Sequence, residues 1–534
     1  MPAQRMPGQA RTVATPARFP LVTAPGFRST TLALADPTVR SPVSDAAMIN
    51  CYAELDPQDK QYWVEKRPGN KTLASVAAAT GGGVGLTYGE NNAEQIIPFP
   101  LAIFGTDLYY YSAGSLVPIS QQGSGAGIIA GRAAQFLNVP FDATADYNVV
   151  WAANGAMWII PDISLARIEY ENMTQFTSGT GGVPWTAPLC DGCAYLDETL
   201  YVMDQLGNIW GSNVGNIGTW VGTTVIQAGG RADAPVRLAQ QLEYIIAFKS
   251  TSLRCFYDAG AAAQTSGVGS NLAWVEGADS YYGCANAGSV QLIDNTLLWL
   301  TNNDKGIPQI ARMDALQVKV VSTPPIERLL QQITLLNFSA QPNATTNVVY
   351  SSAIKLGGHR FYVLTVPASA LFGGGVPFSV VYDLDQELWS IWMSPNSTYW
   401  SVLGGTSAAC GYAQDINSGA FYSLEIDQLC PTDSGVFCTV DLYSPNADFG
   451  TRRRKQCQQA FWVADQVSGS SMQIRKSDDD YRSWSPFRTI KLDVKQPRIT
   501  RWGTFRRRAI NIRHAAATPF RIKAGEAQLD LGVD

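Results

Sequence analysis

The feature that most constrains this chain is a hairpin that keeps recurring. Apolar runs rich in Val, Ile, Tyr, Phe and Trp are cut by short turns of Gly, Asn and Asp. Residues 102–111, 149–160, 193–203 and 291–300 each hold two apolar strands about a small polar turn. Asn154-Gly155 in the second is the strongest short hairpin signal a sequence offers. Further pairs are 244–248 with 253–257, 359–364 with 379–383, and 410–413 with 421–424. They recur at roughly 40–55 residues, the spacing of four-stranded blades. Both strands of each hairpin are apolar, so the alternation of a half-exposed sheet is lost, as in strands buried on both faces. The expected fold is mainly β, with a β-propeller-like body of four-stranded hairpin blades. A pair of large β-sandwiches would give similar hairpins, and repetition favours the propeller.

Composition along the chain divides it into three. Residues 1–45 are expected to be an extended N-terminal arm. The first 25 carry Pro2, Pro7, Pro16, Pro20 and Pro25 among Ala and Arg, and such a segment has little to pack against by itself. Residues 46–450 are the propeller-like body, and 451–534 a basic, β-rich C-terminal region. The net charge of −5 hides that last division. Residues 451–534 hold 18 Lys and Arg against 8 Asp and Glu, a balance of +10; the preceding residues hold 21 against 36, a balance of −15. Such segregation points to different partners for the two regions. Only 16% of the chain is charged, well below the usual quarter, which suits surface buried in an assembly. One segment in the body has helical spacing: Ile326, Leu329, Leu330 and Ile333 share a face after Pro324 and Pro325.

Ser477-x-Asp479-x-Tyr481-x-Ser483-Trp484 is close to an Asp-box, Ser-x-Asp-x-Gly-x-Thr-Trp, a hairpin turn of many propeller blades. A short carboxylate accepts backbone N–H bonds across the turn while the indole covers its base. Ser477, Asp479 and Trp484 are thus structural residues of a turn, and Tyr481 stands where the frame has Gly. Arg488–Leu492, Arg498–Arg508 with Trp502 and Phe505, Ile510–Arg513 and Phe520–Ile522 follow. Near the start are Gly26-Phe27-Arg28-Ser29, Asn50-Cys51-Tyr52-Ala53-Glu54 and Lys66-Arg67-Pro68-Gly69. In this order the pieces resemble the packaged-DNA stabilisation proteins of short-tailed bacteriophages, the tail-hub or nozzle proteins below the portal and its adaptor ring. The resemblance covers about the first 70 and last 90 residues.

The resemblance implies a structural virion protein of the tail, assembled in the host cytoplasm. It implies a homo-hexameric ring attached to the adaptor above and neighbouring tail fibre, spike or needle proteins. That ring would retain packaged DNA and form part of the ejection channel, with the genome passing without sequence-specific contact. The arm would lie on a neighbouring subunit or on the adaptor.

Catalytic, cofactor and metal sites are not expected. Nucleophilic hydrolysis usually needs a His base, and His359 and His514 sit in no motif. Gly81-Gly82-Gly83-Val84-Gly85 lacks the Lys of a phosphate loop. Cys190-Asp-Gly-Cys193 is a lone pair, half of a zinc set. Asp478, Asp479 and Asp480 lack the Gly and distal Glu of a calcium loop. No secretory signal and no run of 18 apolar residues is present. Two rivals remain: an Asp-box propeller glycan hydrolase working through paired carboxylates, and a receptor-binding tail protein.

The interaction candidates are Arg452, Arg453, Arg454, Arg506, Arg507 and Arg508. They could grip DNA phosphates. A basic lumen would hold a duplex that has to slide, so these cations are expected to meet neighbouring protein or the outer wall. The channel face should then come from the acidic region before residue 451. Around 501–506 the aromatics and cations are expected to divide between two faces of one strand.

Overall fold

The computed structural model describes residues 17–28, 45–77, 80–87, 99–123, 126–129, 134–140, 147–161, 168–260, 269–302, 308–333, 348–371, 377–393, 406–407, 410–424 and 432–531. These residues form two joined bodies, a ring of seven blades and a β-sandwich.

The blades are antiparallel units spanning 83–121, 137–172, 189–227, 235–274, 283–320 and 350–392, with a seventh made from 406–407, 410–424 and Asn70–Ser75. Each hairpin expected from the sequence falls in a different blade. The turns use the left-handed conformations that tight hairpins require: Asn154 and Gly155 have φ of 52° and 85°, Gly357 and Gly358 of 57° and 88°.

Seven apolar seams prove the ring. One lies between each successive pair of blades, and Leu86, Ala102 and Phe104 of the first blade pack with Phe421 of the seventh. Burial between neighbours on both sides explains why the strands do not alternate. The seams hold fully buried Trp151, Trp158, Trp299, Trp389 and Trp392, each a side chain whose truncation costs about 3–5 kcal/mol. Closure is chemical as well as apolar. Gly83 N donates to Asp415 O at 2.8 Å, and Gln414 Nε2 to Ile103 O at 3.1 Å. The seventh blade takes its outer strand from the chain's early segment, so residues far apart in sequence lock the circle. The expected short helix is Pro324–Leu330, with Ile326, Leu329 and Leu330 buried beside the fifth blade.

The sandwich corrects the expected three-part division. One sheet runs in the order Cys51–Leu55, Tyr62–Lys66, Arg521–Leu531, Lys455–Ala464, Arg498–Phe505. The other runs Ala47–Ile49, Val440–Tyr443, Ala509–His514, Ser471–Ser477, Arg488–Lys491. Residues 451–531 are therefore not a region apart, and residues 46–66 and 440–450 belong with them. The physical reason is that neither end carries enough strands to close a core; together they bury one, including Cys51, Val64, Trp462, Ile474, Trp502 and Ile522.

The arm is corrected as well. Residues 1–16 and 29–44 lie outside the described residues, but 17–28 pack within their own chain. Ala17–Phe19 pairs with Arg521–Leu531, placing Phe19 opposite Gly525, and Phe19, Leu21 and Val22 enter the sandwich core. The prolines here flank an apolar Phe-Pro-Leu-Val run that has a core to fill. Gly26 has φ 81°, and a Cβ there would lie 2.8 Å from Trp389 O, so only glycine lets this segment press against the sixth blade. The sandwich continues that blade's sheet: Ile49 pairs in parallel with Ile391.

Candidate interaction surface and axial cavity

The fold brings the two arginine runs to one corner of the sandwich. The 447–454 turn and the 506–508 turn are joined by Ala447 and Arg508, which exchange backbone hydrogen bonds of 2.9 and 3.0 Å. The Lys455 ammonium, buried, donates to Thr451 O at 2.6 Å, Arg453 O at 3.0 Å and Arg506 O at 2.6 Å, tying both turns with one cation. Arg506 Nη1 donates to Arg452 O at 3.3 Å, and Arg454 Nη2 to Thr504 Oγ1 at 3.2 Å. Arg507 pairs with Asp480. Arg452, Arg453, Arg454, Arg506 and Arg507 are exposed.

Arg508 departs from its expected place. It is fully buried, holds Asp478 through Nε at 2.6 Å and Nη2 at 3.0 Å, and lies 4.0 Å over the Phe505 ring. It is an internal strut, because a guanidinium with a bidentate carboxylate and two aromatic faces can leave water. The division within 501–506 holds in the fold: Trp502 and Phe505 are buried, Arg501 and Arg506 exposed. The imperfect spacing has a cause. The strand pairing shifts register between Cys457 and Gln459, opposite Arg501, which has φ 53°, the mark of a bulge.

The Asp-box-like turn forms as its chemistry predicts but in the sandwich, between Ser471–Ser477 and Arg488–Lys491, not in a blade. Ser477 Oγ donates to Asp479 Oδ1 at 2.8 Å and accepts from Tyr481 N at 2.9 Å; Ser483 N donates to Asp479 Oδ1 at 3.0 Å. Tyr481 takes the left-handed conformation of the missing Gly, φ 63°, and is held there by burial and by its hydroxyl on Ser444 O at 2.8 Å. Trp484 packs against Tyr443 and Tyr481. The three aspartates diverge: Asp478 goes to Arg508, Asp479 to the turn, Asp480 to Arg507 and Asn446. Among the described residues no group of His, Cys, Asp or Glu is placed to hold a metal ion.

In the Cys190–Cys193 pair, Cys190 Sγ donates to Asp204 O at 3.4 Å, and burial pushes the Cys193 thiol up to about 12. His359 Nδ1 lies 2.7 Å from Asp383 Oδ2, both buried, and stacks on Phe361. His514 is buried against Phe520.

A cavity of about 560 Å³ lies on the propeller axis, lined by the inner edges of the first six blades. Sequence reading missed its central residue, Arg237, on the inner strand of the fourth blade. The side chain runs beside Gly192 of the third blade. Nη1 donates to Ala287 O in the fifth blade at 2.7 Å, and Nη2 donates to Gln135 Oε1 before the second. Gln135 Nε2 in turn donates to Val290 O at 2.6 Å. Arg237 and Gln135 thus link the approach to the second blade with the fourth and fifth blades at the cavity. At the same cavity Lys355 Nζ meets Asp294 Oδ1 at 2.6 Å, and Arg360 Nη1 meets Asp294 Oδ2 at 3.2 Å. A signal was present: Arg237 interrupts the apolar run Pro235-Val236-Arg237-Leu238-Ala239.

No protein-family model matches the chain, and no curated protein matches it. Among solved structures it is similar to the computationally designed Ika8 protein, at 9% identity over 66% of this chain and 99% of that one, with a TM-score of 0.36. It is also similar to the N-terminal domain of Nup159, at 10% identity over 71% of this chain and 98% of that one, TM-score 0.36. The fold defines a mainly β, propeller-like protein, and that assignment rests on its strand pairing and its seven seams. Among the described residues no helix is long and apolar enough to cross a membrane.

Proposed function

We propose that this chain is a structural subunit of a short-tailed phage tail, a hub or nozzle ring below the portal and its adaptor. The ring retains packaged DNA and lines part of the ejection path. One observation carries the reading. Of the segments that resemble the tail-hub family, 50–54, Lys66 and 474–522 lie at opposite ends of the chain yet fold into one sandwich, while 26–28 and Arg67 tie that sandwich to the sixth blade and the closing strand. A shared module, rather than scattered matches, is what the resemblance should give. In this reading the duplex does not thread the propeller, whose inner edges Arg237 and Gln135 link; the DNA path runs between copies of the chain, and the homo-hexamer supplies the bore.

In this reading the arginine corner contacts neighbouring protein, an adjacent copy, the adaptor or a tail fibre, spike or needle component. Exposed guanidiniums suit acidic partner surfaces and bidentate recognition. Native mass measurement of the purified chain and symmetry in images of assembled particles test the proposal. The expected result is a six-copy ring, lost on reversing Arg452, Arg453 and Arg454 to Glu while the chain stays folded. A strictly monomeric chain that docks to no tail component, or a lumen lined by these arginines, refutes it.

A further inference from the structure

Three arginines are buried among the described residues: Arg67, Arg237 and Arg508. Two have a carboxylate in direct contact, Asp433 for Arg67 and Asp478 for Arg508. Arg237 does not. Its two hydrogen bonds go to neutral oxygens, Ala287 O and Gln135 Oε1, and its Nε is buried with no partner. Asp191 on the neighbouring inner strand acts on it only through space, and burial still lowers its pKa. A buried cation with neutral partners is costly, and an unmet buried donor adds to the cost.

We propose that the axial cavity is a binding site for a small hydroxylated oxyanion, a carboxylate or phosphate on a sugar-sized molecule, with Arg237 as its charge partner. The volume of about 560 Å³ falls within the range of small-molecule sites. Ser352, whose buried hydroxyl has no partner, lines the same space. Gln240 and Asn295 add amides for hydroxyl groups, and Lys355 stands at one side with Asp294. The oxyanion accepts from the guanidinium N–H groups that Ala287 O and Gln135 Oε1 leave unused, and the hydroxyls meet the amides and Ser352. Binding, not cleavage, is what the lining supports. Among the described lining residues Asp294 is the sole carboxylate, and Lys355 and Arg360 already hold it, so no carboxylate pair is free for glycoside hydrolysis.

The site is independent of the tail-hub reading and stands or falls alone. Isothermal titration of the full chain with glucuronate, glucose 6-phosphate and glucose tests it. One charged probe, or both, should bind at one site per chain, with glucose at least about tenfold weaker, as expected when a charge-assisted hydrogen bond is lost. The tighter charged probe tells whether the oxyanion is carboxylate or phosphate. Arg237→Met should weaken binding by a similar factor. Should that variant not fold, Ser352→Ala and Lys355→Met, each expected to weaken binding severalfold, take its place. No binding by either charged probe, equal binding of glucose, or unchanged affinity in these variants overturns the proposal.

Discussion

The pair that locks the ring to the sandwich can be broken with a single atom exchange. Arg67 leads into the closing strand Asn70–Ser75, and Asp433 follows the seventh blade. The guanidinium holds Asp433 through Nη1 at 3.0 Å and Nη2 at 2.6 Å, and also reaches Asn50 Oδ1 at 3.0 Å and Met393 O at 2.9 Å. One side chain therefore joins the sandwich, the sixth blade and the closure. Its side chain is 0% exposed and that of Asp433 5%. Asp433→Asn keeps the shape and removes the charge, leaving a buried cation without its counter-ion, a loss of about 3–5 kcal/mol. Since the loss falls on the latch, it should first appear as local opening. Amide hydrogen exchange in 70–75 and 420–424 should speed up by about two to four orders of magnitude, at about 1.4 kcal/mol per decade. Strand Ser471–Ser477, in the far sheet of the sandwich, should change much less. If exchange in 70–75 shifts less than severalfold, or the far strand loosens equally, the pair is not a latch and the reasoning fails.

The two histidines should pull stability in opposite directions. Burial disfavours charge on His359, but the hydrogen bond and charge of Asp383 outweigh it and raise its pKa above 6.5; the stability it brings is full below 6.5 and lost as pH rises through the folded value. The stability difference between the parent chain and His359→Gln, followed by denaturant midpoints from about pH 5 to 9, should shrink toward alkaline pH. His514 is pushed down to about 3, first by burial and then by Lys66. The unfolded chain takes up a proton near 6.5 that the folded one refuses, so stability falls with acid over that interval, and His514→Asn should flatten the slope. Tyr481→Gly restores the Asp-box frame and relieves about 1 kcal/mol of backbone strain, but empties a buried ring site worth about 3–5 kcal/mol. Thermal unfolding should show a net loss, and a gain would mean that the ring packs for nothing.

The blades were legible in the sequence because each is a local object. Asn154-Gly155 fixes its hairpin with two residues, and strands with both faces apolar identify themselves as sandwiched. The number of blades was not legible. Residues 410–424 give only part of the seventh blade, and its outer strand comes from 70–75, which nothing local distinguishes from an edge strand. The sandwich was hidden for the same reason. Ala17–Phe19 pairs with strand residues 525–527, so a segment that looks like a solvated arm has its partner at the far end of the chain. The Asp-box-like frame is legible as a turn but does not tell which kind of sheet carries it, because turn chemistry is set by five or six residues and is indifferent to the sheet around it.

Arginine shows where sequence reading stops. Arg506, Arg507 and Arg508 are consecutive, and no pattern separates them. Two stay at the surface, while Arg508 enters the core because Asp478 meets it there from the turn that follows Ser471–Ser477. Arg67 sits in a motif but gains its role from Asp433. Position in the sequence thus fixes which strand an arginine is on; the partner brought from elsewhere fixes whether it is strut, latch or exposed contact. By that rule Arg237 is the odd case, since the fold brings it buried to the axis and supplies only neutral oxygens in contact. A strut would have been given a carboxylate, and an apolar residue would have bridged the seam at lower cost. Asp191 offsets the charge at the axis only through space, and a contacting counter-ion is supplied when the partner is a molecule from outside the chain.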